Sequence, residues 1–198
     1  MRWEPNARGR LEQAAMQLIG EQGFEDTTVA EIAQRAGLTE RTFFRHFTDK
    51  REVLFSGSEL LAERMVEPVL AAPDSAAPLD AVAAGLAAAA ELLEERREYA
   101  GQRQQIIDAN VDLQERELIK MAWLSAAIAD ALRRRGVADP AARLAAEAGI
   151  AVFRTAFALW VEDADGPPLG VRMADAMAEL RAVTAGAGWD RSASFTIH

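Results

Sequence analysis

The chain has 198 residues, half of them hydrophobic, with a formal net charge of −9, no cysteine and two histidines. Disulfides, thiol redox chemistry and thiolate metal ligands are excluded, and a multi-histidine metal centre is not expected. Abundant alanine, with Pro and Gly falling mainly between periodic segments, predicts an all-α protein.

The N-terminus, MRWEPNARGRLEQ, lacks the apolar core of a signal peptide. No uncharged apolar run approaches the roughly twenty residues of a membrane span, so a cytoplasmic location is expected. The first helix pattern covers about residues 6–22, with Leu11, Ala14, Ala15, Leu18 and Ile19 on one face and Arg8 and Arg10 in its first turns. Gly23-Phe24 ends it. The stretch TTVAEIAQRAGLTERTFFRHFTDK (27–50) then holds two short helices joined at Ala36-Gly37-Leu38. Thr28 caps the first of these, about 29–35, and Glu31 completes a capping box. Gly37 supplies the left-handed turn. Thr39 caps the second, about 40–47. Phe43 and Phe47 form its inner i, i+4 pair, leaving Glu40, Arg41, Thr42, Phe44, Arg45 and His46 outside. This is the composition of a helix-turn-helix, with a basic and hydroxyl-bearing face for a major groove.

These residues resemble the DNA-binding domain of the TetR family of transcriptional regulators. The resemblance rests on Gly23-Phe24, Thr27-Thr28, Ile32-Ala33, Ala36-Gly37, Thr39, Thr42-Phe43-Phe44-Arg45-His46-Phe47 and Lys50, and covers about residues 8–55. It implies a homodimer that places residues 40–47 in each major groove of a near-palindromic operator. Arg41 and Arg45 suit base edges, since Arg reads guanine bidentately. Thr42 suits a base or a phosphate. The resemblance assigns Thr28, His46 and Lys50 to backbone positioning, and a core role for His46 stays open. Glu40 suits either cytosine N4 or the helix N-terminus. Phe44 stands where the family commonly has Tyr. It cannot donate the tyrosine's hydrogen bond to phosphate, which leaves contact with a thymine methyl or a sugar.

Charge is unevenly spread. Residues 1–52 carry 8 Lys+Arg and 9 Asp+Glu, and the remaining 14 and 22 leave most of the acidity in the rest of the chain. A local basic face is still able to supply the phosphate contacts that dominate DNA affinity.

A fourth helix is predicted from Thr48 or Asp49 to about Leu70, with Pro68 disturbing its last turn. Residues 71–78, AAPDSAAP, form the clearest linker. Further helices are predicted over about 79–99, 101–109 and 112–135, the last with an apolar stripe of Leu118, Met121, Leu124, Ile128 and Leu132. Gly136 stops it, and Arg133-Arg134-Arg135 suits a helix C-terminus. A long helix from Asp139, with Pro140 at its start, carries apolar residues on two sides, including Leu144, Phe153, Leu159 and Trp160. A final helix covers 169–185. The last two helices are expected to form a four-helix interface with a second copy. The tail 186–198, with Trp189 and Phe195, is expected to be loosely ordered. The domains are thus 1–52 for DNA and 53–185 for ligand and dimerisation, and residues 97–162 faintly resemble the ligand domains of mycofactocin-type TetR regulators.

The function expected is a small-molecule-responsive regulator, a repressor, without a cofactor or metal. Met65, Tyr99, Arg103, Ile107, Asn110, Met121, Trp123, Phe153, Phe157 and Trp160 are the candidate effector contacts. Arg103 and Asn110 stand out as polar groups beside apolar runs: if buried they need partners, which an anionic or carbonyl-bearing ligand would offer. An enzyme is disfavoured, because no nucleophile–His–acid set, Gly-rich phosphate loop or ligand cluster is present. A protein-only adaptor is the third reading, and the intact basic face argues against it.

Overall fold

The computed structural model describes residues 6–185, and the predicted tail at 186–198 lies outside them. The described residues form ten helices and no strand: α1 (Ala7–Gln22), α2 (Val29–Arg35), α3 (Glu40–His46), α4 (Lys50–Phe55), α5 (Ser58–Ala71), α6 (Pro78–Glu94), α7 (Arg97–Asp108), α8 (Val111–Arg134), α9 (Asp139–Glu162) and α10 (Leu169–Thr184). The protein is all-α, as its composition predicts.

The chain divides into two compact units. Among the described residues, one holds 6–63 and 96–123, the other 64–95 and 124–185. The first unit is therefore larger than a domain ending at residue 52. Val53, Leu54 and Phe55 lie in the same core as Leu11, Ile19, Phe24, Ile32, Phe43 and Phe47, and Ile107 and Leu113 join them from far along the chain. These late residues bury apolar area that the first three helices alone would leave in water.

The predicted fourth helix is two helices. The ladder stops at Phe55 and restarts at Ser58, beyond Gly57, the residue with the weakest helix propensity after proline. Two groups satisfy the break: the Ser58 hydroxyl donates to the Phe55 carbonyl at 2.7 Å, and Arg8 donates to the Ser56 carbonyl at 3.1 Å. Pro68 does not end α5, which runs to Ala71. The next boundary also moves: α6 stops at Glu94, and Tyr99 belongs to α7.

On α8 the buried stripe is Leu113, Met121, Leu124, Ile128 and Leu132, while Leu118, placed inside by its spacing, is 57% exposed. The basic end behaves as a helix terminus. Arg133 pairs with Asp139 at 2.6 Å and Arg135 donates to the Pro73 carbonyl at 2.6 Å.

In the second unit, α9 and α10 pack together and both pack against α6. Helix α9 is long and apolar enough to cross a membrane, at a mean hydropathy of 1.5. Its Ala142, Ala145, Ala146, Val152, Phe153, Ala156 and Trp160 are nonetheless buried in the unit, as in the core helix of a globular domain. Leu144 and Leu159 of α9 and Val171 and Val183 of α10 stay exposed in the single chain.

Gly85 of α6 faces the Met65 carbonyl so closely that an added Cβ would run into that oxygen, with the Val69 side chain 3.1 Å away. Gly85→Ala should therefore destabilise the protein by about 1–3 kcal/mol through overpacking. Alanine's better helix propensity, worth about 1 kcal/mol at an open site, would stabilise it instead. Urea unfolding of the two proteins decides the sign.

Candidate nucleic-acid interface

The local chemistry that builds this region is short-range and well satisfied. The Thr28 hydroxyl accepts from the Glu31 amide at 3.2 Å, and the Glu31 carboxylate accepts from the Thr28 amide at 2.9 Å and hydroxyl at 2.8 Å. The hydrogen bond from the Thr28 side chain is the main reason that the Glu31 carboxyl is held below its ordinary pKa. At the C-terminus of α2, Gly37 has φ +65°. The Leu38 amide reaches the Ala33 carbonyl at 2.8 Å and the Gly37 amide reaches Gln34 at 2.9 Å. This pair of bonds is a Schellman motif. Two residues later Thr39 caps α3, accepting from the Thr42 amide at 3.2 Å. The α2–α3 turn is thus fixed at both ends.

Helix α3 has a sharp division. Phe43 and Phe47 are 0% and 2% exposed, with ring centroids 5.4 Å apart. Phe44, one residue on, is 55% exposed and stands edge-on to Phe43. Arg41 and Arg45, an i, i+4 pair, are exposed beside it. Arg41 makes no hydrogen bond or ion pair among the described residues. Arg45 has one long contact, 3.4 Å to the His46 ring. Thr42 is half-buried with its hydroxyl 3.1 Å from that of Thr39, and His46 is half-buried beside Phe47. Glu40 lies exposed in the first turn of α3, where the helix dipole favours a carboxylate. The outcome is a face of two guanidinium groups and one phenyl ring, backed by an aromatic core.

Two of the residues that the sequence places toward DNA have other engagements. The Thr28 hydroxyl is shared with Glu31, as above. Lys50 is turned inward: its ammonium donates to the carbonyls of Phe24 at 2.6 Å, Glu25 at 3.0 Å and Thr27 at 3.0 Å, and lies 4.4 Å from the Phe24 ring centroid. Three donors meet three acceptors. Sequence reasoning could not find this, because the acceptors lie 23 to 26 residues away in the α1–α2 connection. Arg8 and Arg10 are also staples. Arg8 bonds the Ser56 carbonyl and sits 5.4 Å from the Phe47 ring, and Arg10 donates to the Ala36 carbonyl.

The effector candidates are divided between the two units. Tyr99, Arg103, Ile107, Asn110, Met121 and Trp123 belong to the first unit, whereas Met65, Phe153, Phe157 and Trp160 belong to the second. On α9 the three aromatics form a ladder, with centroids 5.7 Å apart from Phe153 to Phe157 and 5.6 Å from Phe157 to Trp160. Arg103 and Asn110 have protein partners. Arg103 donates to the Leu54 carbonyl and the Glu117 carboxylate, both at 2.6 Å, and Asn110 to the Ile106 carbonyl at 2.6 Å. Neither needs a ligand for satisfaction. Among the described residues no group of His, Cys, Asp and Glu is placed to hold a metal ion.

Residues 12–56 match the family model described as bacterial regulatory proteins of the tetR family. This N-terminal segment is that of a TetR-family regulator. Within the matched segment, α2 and α3 are the helix-turn-helix. TcmR, an HTH-type transcriptional regulator from Streptomyces glaucescens, is 36% identical over 75 residues, which is 38% of this chain and 33% of TcmR. The matched segment thus spans only a third of that relative. Similar solved structures extend the likeness in fold to most of the chain. FadR from Bacillus subtilis, a transcriptional regulator solved in complex with stearoyl-CoA, has a TM-score of 0.62 at 20% identity, covering 87% of this chain and 96% of FadR. SmeT, the repressor of the Stenotrophomonas maltophilia multidrug efflux pump SmeDEF, has a TM-score of 0.61 at 20% identity, covering 89% of each chain.

Proposed function

We propose that this TetR-family chain is a transcriptional repressor that reads a near-palindromic operator as a homodimer and responds to a small molecule bound outside the helix-turn-helix. The observation that carries the reading is the split surface of α3. Arg41, Phe44 and Arg45 face solvent together, while Phe43 and Phe47 anchor the helix beneath them. Two exposed guanidinium groups one helical turn apart suit guanine edges in a major groove, and Phe44 offers apolar contact to a thymine methyl or a sugar. Half-sites lie about one helical turn apart, roughly 34–36 Å, or somewhat more. The exposed Leu144, Leu159, Val171 and Val183 support dimerisation through α9 and α10, because burying such side chains in a second copy removes apolar area from water. An effector-responsive fold is supported by the stearoyl-CoA complex of the FadR structure, whose architecture is similar. In this chain α5 and α8 each run from one compact unit into the other. They are continuous elements through which a bound molecule would bias operator affinity, and a coupling of about 1–3 kcal/mol changes that affinity roughly 5–150-fold.

The test begins with selection of bound DNA from a random pool, which should return an inverted repeat. On the selected operator, Arg45→Ala should weaken binding by about 1–3 kcal/mol, a roughly 5- to 150-fold rise in Kd by fluorescence anisotropy, with an unchanged unfolding midpoint. An unchanged Kd in a folded dimer would favour a protein-only adaptor.

A further inference from the structure

The first unit holds a charged cavity apart from the α3 face. Three cations surround the Phe55 ring: Arg103 at 4.8 Å from its centroid, Arg116 at 5.3 Å and Lys120 at 5.9 Å. One carboxylate serves two of them, as Glu117 lies 2.6 Å from Arg103 and 2.6 Å from Lys120. Among the described residues the acid paired with Arg116 is Asp49, at 3.8 Å. The Lys120 and Glu117 side chains are 11% and 18% exposed, so this chemistry is largely withdrawn from water. Burial pushes the Lys120 ammonium down to about 8, with Arg103 adding repulsion against the pull of Glu117. Glu117, pushed up by burial, ends below its ordinary value because Lys120 and Arg103 outweigh that effect.

Lys120 hydrogen-bonds only Glu117 among the described residues, which leaves donors of its three unused. It opens, with Arg116 and Arg8, onto a cavity of about 300 Å³ whose apolar walls are Phe55, Ile119 and Trp123. That volume lies at the lower end for small-molecule sites. Two carboxylates also line it. Glu52 is engaged by the Thr48 amide and hydroxyl, which leaves Glu59 as the acid open to a ligand. An ammonium with spare donors, a guanidinium with one distant partner and an apolar wall define a chemical class. We propose that this cavity binds a small aromatic or alicyclic carboxylate, its anion on Lys120 and Arg116 and its ring against Phe55, Ile119 and Trp123. The cavity includes Ser56 and Ser58, at the break between α4 and α5, and Arg8, which ties α1 to that break. A ligand there would grip the end of the helix that begins at Lys50.

The site is tested without DNA, so its failure leaves the operator-reading proposal untouched. Calorimetric titration of the full chain uses three probes with one ring system: 2-naphthoate, neutral 2-naphthalenemethanol and cationic 2-naphthylmethylammonium. The carboxylate should bind with a Kd of about 1 mM or below, and the alcohol and ammonium at least roughly tenfold more weakly, since only the anion engages the charge-assisted donors. Arg116→Gln, at a partly exposed position, and Lys120→Met should each weaken naphthoate at least about tenfold, with urea unfolding as the control for folding. Absence of naphthoate binding at millimolar concentration overturns the proposal. So does equal binding of the alcohol, preference for the ammonium through Glu59, or full naphthoate affinity in a folded Arg116→Gln protein.

Discussion

Phe43→Ala is expected to destabilise the first unit by about 3–5 kcal/mol, because it removes a fully buried phenyl ring from a core too rigid to close over the void. Domains are commonly stable by only about 5–15 kcal/mol, so much of the folded population of this unit is at risk, and with it the orientation of α3. The ring touches Phe47 and Phe44 at 5.4 Å each, and loss of those aromatic contacts adds to the lost burial. Phe44→Ala is the informative partner. Its ring is 55% exposed, and a surface substitution of this kind stays within about 0.5 kcal/mol. Urea unfolding should therefore separate two adjacent phenylalanines by several kcal/mol. Operator binding by the Phe44 variant, which remains folded, then reports on the interface alone. Similar unfolding curves for the two variants would mean that α3 does not present its faces as described.

Lys50→Met should cost about 1.5–3 kcal/mol of stability while leaving the salt dependence of operator binding unchanged. One hydrogen bond from a charged donor is worth about that much, and at this half-exposed position water replaces part of what the carbonyls of Phe24, Glu25 and Thr27 lose. The Met stem keeps most of the apolar contact with Phe24. A lysine that neutralised a phosphate would behave differently: its removal lowers the slope of log K against log salt by about 1. Titrating operator affinity of both proteins between low and moderate salt distinguishes the roles. A slope reduced by about 1 with unchanged stability would place the ammonium on DNA. An unchanged slope, with affinity lost only where the variant unfolds, fits an internal clamp joining α4 to the α1–α2 connection.

These two residues also mark how far the chain could be read directly. The α3 division was legible, since Phe43 and Phe47 stand at i, i+4 and Arg41, Phe44 and Arg45 fall on the other side, a pattern that depends only on helix geometry. The caps at Thr28 and Thr39 and the turn at Gly37 were legible for a similar reason: each bond spans no more than five residues. The role of Lys50 was not. A long flexible side chain at a helix start reaches a phosphate or three carbonyls equally well, and the choice rests on a loop 23 to 26 residues earlier in the chain. Leu118 shows the corresponding limit for periodicity. Its spacing fits the stripe of Met121 and Leu124, yet α8 buries Leu113 and turns Glu117 inward to pair with Arg103 at 2.6 Å, and Leu118 is left outside.

The sequence by itself determined the all-helical class, the helix-turn-helix, the helix starts at Thr28, at Thr39 and at Thr48 or Asp49, and the division of α3 into a buried and an exposed side. Caps, left-handed glycines and apolar spacing are short-range signals that neighbouring residues complete among themselves. Tertiary structure decided the rest. It broke the fourth helix at Ser56-Gly57, brought Ile107 and Leu113 into the N-terminal core, turned Lys50 inward and satisfied Arg103 with Leu54 and Glu117. Each of these outcomes pairs groups dozens of residues apart, or depends on which of several apolar faces finds a partner. Buried polar groups must be satisfied wherever the packed chain offers an acceptor, and that acceptor is known only once distant segments have met.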